Sequence, residues 1–417
     1  MTAPGPAASD VLAALRREEH SRLLATLASR FGDLDLAEDA AQDALEAAIE
    51  AWPRTGVPDS PLAWLTTTAT RKAIDRLRRE KALTERLARL RVEEDRRTSA
   101  PPVRAVVEPD EIPDDRLELF FACCHPTLRT DEQVALILRY LGGLTTTEIA
   151  HAFLLPVTTV QQRLVRAKKR LRVTRIPIRT PGPDDLPARL PAVLAVIYLI
   201  FTEGYAASTG DGHLRGDLTT EAIRLARIVH RLVPGQPEAT GLLALLLLTE
   251  ARAPARVDDE GLPVPLREQD RDRWDRLASD EGLALAMEAA AGGPGPYSVQ
   301  ASIAAVHAES RDVESTDWAQ IVVLYDLLLA LAPGPVVRMA RAVAVGRRDG
   351  PQSGLRQLDA LAGEAELERH HPFHAARATT LEELGRGDEA RRAWARAHQL
   401  TENASEREYL VRRWWNA

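Results

Sequence analysis

Several features that would indicate a secreted, membrane-bound or disulfide-stabilised protein are scarce in this chain of 417 residues. The only two cysteines, Cys123 and Cys124, are adjacent and cannot build a disulfide framework. The N-terminus has no basic stretch followed by an apolar one, so we expect no signal peptide. The longest apolar run, from Leu190 to Phe201, is shorter than the roughly 20 residues needed to cross a bilayer. These absences predict a cytoplasmic protein that does not enter a membrane.

Lysine is also scarce, and charge is unevenly distributed along the chain. There are four lysines, and the formal net charge is −7. Residues 1–180 carry 28 basic and 26 acidic side chains, whereas residues 181–417 carry 26 basic and 35 acidic ones. The N-terminal part can therefore meet phosphate groups, while the acidic C-terminal part is not expected to bind nucleic acid.

A strongly basic helix-turn-helix pattern runs from Leu144 to Arg172. Its first helix must end near Leu155, because the following proline disfavours helical geometry in the residue before it. Its second helix has an apolar stripe for docking, with Gln and Arg at its N-terminal end to reach base edges. From Pro156 to Thr180 there are eight Lys or Arg and no Asp or Glu. This combination favours DNA binding over a solvated, charged helix end.

Two helices of opposite charge are predicted upstream. The first, Leu34 to Trp52, is acidic, since residues 31–50 hold seven acidic side chains and no basic one. The second, Leu62 to Glu80, begins with apolar and aromatic residues and ends with basic ones. Residues 53–61 between them are rich in proline and predict a loop.

The order of these elements resembles the bacterial RNA polymerase sigma factors of the extracytoplasmic-function class, which are sigma-70-type factors. Three segments carry the resemblance: LAEDAAQDALEAAIEAW (36–52), PLAWLTTTATRKAIDRLRRE (61–80) and TTVQQRLVRAKKRLR (158–172). In that family the corresponding helices grip core polymerase, engage the −10 promoter element and recognise the −35 element. The resemblance implies two partners, core RNA polymerase (its β′ clamp helices and β flap) and promoter DNA.

Candidate site residues follow from this resemblance and from the charge pattern. The candidates for core polymerase binding are Asp39, Gln42, Asp43 and Glu46. The candidates for DNA binding by the −10-like helix are Trp64, Arg71, Lys72, Arg76, Arg78 and Arg79. The candidates in the −35 recognition helix are Thr158, Thr159, Gln161, Gln162, Arg163, Arg166, Lys168 and Lys169. Arg71 and Lys72 depart from the family pattern, which often has Asn followed by an apolar residue. The resemblance therefore does not predict which −10 sequence this protein recognises.

The C-terminal part is longer than ordinary factors of this class possess, and it reads as successive amphipathic helices. Segment 374–400, HAARATTLEELGRGDEARRAWARAHQL, resembles a tetratricopeptide repeat, and a fainter copy lies 36 residues upstream. Alternating small and large residues let paired helices stack into an α-solenoid. An unrelated helical bundle is the rival interpretation. The resemblance to factors with such an extension implies that the extension controls activity, and it leaves open whether a regulatory protein or a ligand binds there.

The predicted fold class is therefore all-α, with two small helical domains followed by a helical, repeat-like one. The predicted boundaries are 10–80 for a sigma region 2-like domain, 81–114 for a linker, 115–175 for a sigma region 4-like helix-turn-helix domain, and 186–417 for the C-terminal regulatory domain.

No catalytic, cofactor-binding or metal-binding residues are predicted, and we expect no enzymatic activity. Cys123 and Cys124 lack the CxxC spacing that wraps two thiolates around zinc. The histidines near residue 371 have no accompanying carboxylate or thiolate set. The alternative to a sigma factor is a one-component helix-turn-helix transcriptional regulator with a C-terminal ligand-binding domain. The helices at 36–52 and 61–80 discriminate between the two, because a repressor needs neither a polymerase-binding nor a strand-opening helix.

Overall fold

The computed structural model describes residues 17–90, 115–153, 155–174, 176, 178–179, 186–207 and 209–416. These residues are almost entirely helical, which confirms the all-α class. The chain divides into two compact units, unit 1 up to Val196 and unit 2 from Ile197. The division falls inside one helix, Leu186–Tyr205, so the second unit begins later than the predicted boundary at residue 186.

Unit 1 consists of helices of 7 to 30 residues and one π-helical turn. Its elements are α1 (Arg17–Phe31), α2 (Leu34–Thr55), α3 (Pro61–Leu90), α4 (Arg116–Cys123), α5 (Thr130–Leu136), a π-helical turn (Ile137–Leu141), α6 (Thr146–Ala152), α7 (Val157–Val173) and the first part of α8 (Leu186–Tyr205).

The α2 helix owes its position to a cap at each end and a stripe of alanines between them. The Asp33 carboxylate accepts hydrogen bonds from two backbone N–H groups of the first turn, at 2.8 and 3.1 Å. At the other end Gly56 has φ +82°, a conformation that glycine adopts without strain. The small buried side chains let neighbouring helices approach closely; they are Ala37, Ala40, Ala41, Ala44 and Ala48.

The α3 helix is longer than predicted, because it runs to Leu90 instead of ending at Glu80. Residues 81–90 contain neither glycine nor proline, so nothing in their sequence stops the helix. The helix therefore continues past the predicted domain boundary at residue 80 and into the first residues of the predicted linker. The remainder of that linker, residues 91–114, lies outside the described residues, as do residues 10–16 of the predicted first domain.

The helix-turn-helix is formed by α6 and α7. A capping box begins α6: the Thr145 hydroxyl accepts from the Glu148 N–H at 3.1 Å, and the Glu148 carboxylate accepts from the Thr145 N–H at 2.7 Å. The α7 helix starts directly after Pro156. It buries the predicted apolar stripe, which consists of Val160, Leu164, Ala167 and Leu171.

Unit 2 is a succession of helices in which most neighbours in the chain pack on each other. After the second part of α8 its elements are β1 (Thr209–Gly210), α9 (Gly216–Leu232), α10 (Pro237–Glu250), three 3₁₀ turns (Ala253–Ala255, Leu266–Glu268 and Arg271–Arg273), α11 (Arg276–Ala291), α12 (Pro296–Glu309), α13 (Trp318–Leu331), α14 (Pro335–Asp349), α15 (Pro351–Ala360), α16 (Ala365–Glu368), α17 (His371–Glu383), α18 (Gly387–Leu400), β2 (Glu402–Asn403) and α19 (Ala404–Asn416).

Two helix pairs of unit 2 correspond to the repeat-like segments. The α17–α18 pair buries the small and large residues that the repeat pattern singles out, among them Ala378, Leu381 and Trp394. In the upstream pair, α14 and α15 approach so closely that a Cβ added to Gly354 would lie 2.8 Å from the Gly346 Cα. The short parallel strands β1 and β2 then tie the start of unit 2 to its last helices, a pairing that no local pattern predicted.

One described helix is long and apolar enough to cross a membrane by length and composition, over the window Ala188–Tyr205 in α8. Several of its apolar side chains are fully buried in protein, among them Val193, Ile197 and Ile200. This burial is typical of a core helix.

Candidate polymerase and promoter interfaces

The four candidate polymerase-binding residues lie on α2, away from its buried alanine stripe. Gln42 and Glu46 are exposed, and the Gln42 amide donates to the Glu46 carboxylate at 3.1 Å. Asp39 and Asp43 are half-buried, and Asp39 pairs with Arg76 of α3 at 2.6 Å. The structure thus brings these side chains together as one acidic face on a rigid helix.

The candidate −10 residues occupy one helix, but they differ in their surroundings. Trp64 packs edge-to-face against Trp52, with ring centroids 5.5 Å apart, so the head of α3 is fixed against the end of α2. The basic residues farther along α3 are exposed; they are Arg71, Lys72, Arg76, Arg78 and Arg79. Arg76 is engaged by Asp39, while Arg78 lies 3.9 Å from Asp75.

Some of the candidate −35 residues are exposed on α7, whereas others form ion pairs with side chains of α5 or α2. Those on the free face of α7 are Thr158, Gln161, Gln162, Arg166 and Lys169. Thr159 is half-buried, and Arg163 lies 3.4 Å from Asp131 of α5. Lys168 is not free: its ammonium group lies 2.5 Å from Asp35 and 3.2 Å from Glu38, and its side chain is 19% exposed.

Lys168 belongs to a group of charged and polar side chains that sequence reasoning missed. We call it the Glu38 cluster; its members are Asp35, Glu38, Arg139, Tyr140, Lys168 and Arg172. Arg139 donates to one Glu38 oxygen through Nε at 3.0 Å and Nη2 at 2.8 Å. The Tyr140 hydroxyl donates to the other oxygen at 2.8 Å. One carboxylate thus accepts bonds from three side chains that lie 101 to 130 residues away.

Electrostatics in this cluster favour the charged forms. Burial opposes ionisation of Glu38, but the Tyr140 hydrogen bond and the charges of Lys168 and Arg139 outweigh it and lower the Glu38 pKa. Burial likewise opposes the charge on Lys168, yet its bonds to Asp35 and Glu38 raise its pKa. The cluster therefore holds ionised partners at neutral pH.

Two consecutive residues of the π-helical turn contact the same carboxylate. In an α-helix neighbouring side chains point about 100° apart. Here the turn Ile137–Leu141 closes with a bond from the Gly142 N–H to the Ile137 carbonyl at 2.8 Å. Arg139 and Tyr140 in this turn both contact Glu38. Such turns concentrate at functional sites.

The polar contacts inside unit 2 differ from the Glu38 cluster, because they involve backbone N–H groups and a buried histidine. The Glu238 carboxylate accepts from the backbone N–H groups of Tyr297 and Ser298 at 3.1 and 3.0 Å, and so caps α12 from another helix. The buried His213 ring lies 3.2 Å from Glu406 and 3.1 Å from the Arg256 guanidinium. Within the described part of the chain, no group of three or more His, Cys, Asp and Glu is placed to hold a metal ion.

Three parts of this chain match known protein families. Residues 15–83 match Sigma-70 region 2, and residues 121–171 match Sigma-70 region 4. Residues 189–290 match a family of unknown function (DUF6596). The first two matches contain the acidic face, the basic α3 helix and the helix-turn-helix.

One relative matches most of this chain, whereas the named sigma factors match about two fifths of it. An uncharacterized protein of Rhizobium meliloti (strain 1021) is 42% identical over 394 residues, which is 91% of this chain and 89% of that protein. The ECF RNA polymerase sigma factor SigK of Mycobacterium ulcerans (strain Agy99) is 30% identical over 191 residues, 41% of this chain and 97% of that protein. SigK of Mycobacterium sp. (strain KMS) is 28% identical over 159 residues, 37% of this chain and 78% of that protein.

The matches to Sigma-70 regions 2 and 4 define the class, a sigma-70-type transcription initiation factor. The chain belongs to the extracytoplasmic-function sigma factors and carries a long C-terminal helical extension. The predicted family is confirmed, and it is favoured over the one-component regulator.

Proposed function

We propose that this sigma factor binds core RNA polymerase through the acidic face of α2 and directs initiation by contacting the −10 element with α3 and the −35 element with α7. A cytoplasmic location agrees with this role, since the family acts there. No described site supports a catalytic function, and the sigma factors of this family are not enzymes.

The observation that carries the proposal is the exposure of two faces of opposite charge on rigid helices of unit 1. The α2 face presents Gln42 and Glu46 to a partner, whereas the α7 face presents Gln162 and Arg166. Basic side chains supply affinity for phosphate, and Gln and Arg at the start of a recognition helix can read base edges.

Holoenzyme assembly tests the α2 assignment. Glu46→Lys in the full chain should weaken binding to core polymerase at least tenfold, because it places a like charge where an acidic side chain faces a basic partner surface. The control is Asp280→Asn, which alters an exposed carboxylate on α11 of unit 2. Equal affinity of the two variants in a fluorescence-anisotropy titration would remove α2 from the interface.

Promoter binding by the holoenzyme tests the α7 assignment. Replacing Arg166 with Ala should cost about 1–3 kcal/mol if its guanidinium reads a base, and the loss should concentrate on one promoter position. A phosphate contact would instead weaken binding evenly across sequences and reduce the salt dependence. Undiminished binding to every promoter would exclude Arg166 from the interface.

The extension is proposed to control activity. Two observations support this: unit 2 is a separate compact body, and a relative that is 42% identical matches 91% of this chain. A chain ending at Val196, the last residue of unit 1, should still bind core polymerase, with promoter-directed transcription that differs from that of the full chain. Unchanged transcription by a truncated chain that binds polymerase normally would remove the regulatory role.

A further inference from the structure

A cleft of about 370 Å³ lies in unit 2 between residues 266–272 and the loop at 311–314. Clefts of this size hold small molecules in many proteins. The half-buried lining has one charged side chain, Arg271, and three uncharged ones, which are Leu266, Gln269 and Val313. The exposed lining carries four carboxylates and two further arginines. Arg271 therefore determines the charge at the inner end of the cleft, and the proposed function does not use it.

Arg271 is held in one orientation by contacts to the end of α12. Its Nη1 atom donates to the backbone carbonyl of His307 at 2.6 Å and to that of Ser310 at 2.5 Å. Its positive charge thus lies at the C-terminus of this helix, where it is favourable. The Arg271 Cζ atom also lies over the Trp274 ring, 4.7 Å from the ring centroid. These contacts leave Nη2 buried, with no hydrogen-bond partner among the described residues.

Two more buried polar atoms beside Arg271 lack a hydrogen-bond partner in the described part of the chain. They are Nε1 of Trp274 and Nδ1 of His307. Buried donors are normally paired, because an unpaired one has lost its bonds to water without replacement. The Arg271 Nη2 and Trp274 Nε1 atoms can only donate, so the partner that fits them must supply an acceptor.

The charge of this group favours an anionic acceptor over a neutral one. A second guanidinium, that of Arg252, lies 5.6 Å from the Trp274 centroid. Burial, and then the positive charge of Arg252, lower the pKa of Arg271, and the carboxylates of Asp312 and Glu314 only partly offset these effects. An oxyanion would stabilise the charged guanidinium, and charge-assisted hydrogen bonds are stronger than those between neutral groups.

We propose that this cleft binds a small molecule with one carboxylate or phosphate group, whose oxygen accepts a hydrogen bond from Nη2 of Arg271. The exposed carboxylates of the cleft disfavour polyanions such as nucleic acids and nucleoside triphosphates. They can also accept hydrogen bonds from the remainder of the ligand. This inference concerns unit 2 alone and does not depend on the proposed roles of α2, α3 and α7.

Nuclear magnetic resonance of the ¹⁵N-labelled full chain tests the site with simple anions. The probes are sodium acetate and sodium phosphate, each titrated at an ionic strength held constant with sodium chloride. The indole N–H signal of Trp274, identified among seven tryptophans by its loss in Trp274→Phe, reports on the surroundings of Arg271. We expect at least one of the two anions to shift this signal in a saturable way. A lower Kd for acetate would indicate a carboxylate ligand, and a lower Kd for phosphate would indicate a phosphate ligand.

Substitution of Arg271 tests whether the anion binds in the cleft. Arg271→Gln should raise the Kd by about tenfold or more, because it removes the positive charge. The matched control is Arg273→Gln, which makes the same change in charge at an exposed position of the same turn and should leave the Kd unchanged. Arg271→Lys keeps the charge without the fork of two nitrogens and should give an intermediate Kd. The other indole signals show whether each variant keeps its fold.

Two results would overturn the proposal: a Trp274 signal that neither anion shifts in the wild-type chain, or equal Kd values for the wild type and Arg271→Gln. The first would mean that water alone pairs with the buried donors, and the second that the anions bind elsewhere. Neither measurement uses DNA or polymerase, so failure of the inference is distinguishable from failure of the proposed function.

Discussion

Units 1 and 2 are both helical, yet different forces join their parts. In unit 1 ion pairs and hydrogen bonds centred on Glu38 join α2 to the π-helical turn and to α7, beside the packing of α1 on α4 and on that turn. In unit 2 successive helices meet through apolar clusters and close backbone approaches, such as that between Gly241 of α10 and Ser298 of α12. Ion pairs between partly solvated groups can exchange for bonds to DNA or polymerase, whereas buried apolar contacts have no such substitute. Unit 1 therefore has one internal contact that water or a partner can replace, in addition to its buried packing.

The largest expected effect comes from removing the main aromatic side chain of unit 2. Trp394 is 1% exposed and donates through Nε1 to Glu382 at 2.7 Å. Trp394→Ala should lower the free energy of unfolding of unit 2 by about 3–5 kcal/mol, because it leaves a large cavity and removes one of the two donors to Glu382, the other being Arg413. Trp415→Ala, at a position that is 78% exposed, is the control and should change it little. Similar urea midpoints for the two variants would contradict apolar packing as the main force.

A smaller effect is expected from adding a methyl group where the backbones of two helices lie close together. A Cβ on Gly241 would lie 2.6 Å from the Ser298 backbone nitrogen and 2.7 Å from its Cα, and backbone cannot yield as a side chain can. Gly241→Ala should therefore destabilise unit 2 by about 1–3 kcal/mol. Gly216→Ala, which also adds a methyl group to a helix but has open space around it, should be neutral or stabilising. Equal denaturation curves would mean that α10 and α12 are not tightly packed.

Acid should weaken unit 2 through His307. Burial, and then the positive charges of Arg252 and Arg271, lower its pKa to about 4. Since this is below the ordinary histidine value of about 6.5, the stabilising contribution is complete above pH 6.5 and is lost as pH falls towards 4. His307→Gln should flatten the dependence of the free energy of unfolding on pH in this window. Parallel curves for variant and wild type would show that His307 is not buried in its neutral form.

The smallest effect should come from an exposed ion pair in unit 1. Arg76 and Asp39 are 2.6 Å apart, but their side chains are 44% and 47% exposed. Arg76→Gln should change the free energy of unfolding of unit 1 by less than about 1 kcal/mol, with the difference vanishing at high salt. A larger, salt-independent loss in thermal unfolding would place this pair among the forces that hold α2 to α3.

The parts of the structure that were predictable are those set by local sequence. Helical periodicity identified α2 and α7, and it located the buried stripe of α7 at Val160 and its partners because spacing alone determines which side faces inward. The π turn and the β1–β2 pairing were not predicted, since neither has a local signature.

The Glu38 cluster shows why part of the candidate site was missed. In the sequence Glu38 is one of seven acidic residues between positions 31 and 50, and nothing distinguishes it from Asp39 or Glu46. Its three donors are more than 100 residues away, so only the folded chain shows that it is half-buried. Lys168 was predicted as a DNA-binding residue from its place in a basic run, and that role stays a prediction, since Asp35 and Glu38 engage its ammonium group in this structure.

Promoter-directed transcription with core RNA polymerase tests most directly the claim that unit 1 is initiation machinery. The purified full chain is added to core enzyme on a library of genomic fragments, and transcript start sites are mapped. We expect starts at defined positions that depend on the chain and are lost with Glu46→Lys. A chain that protects DNA from nuclease digestion yet yields no defined start would contradict the sigma-factor account and favour a DNA-binding regulator.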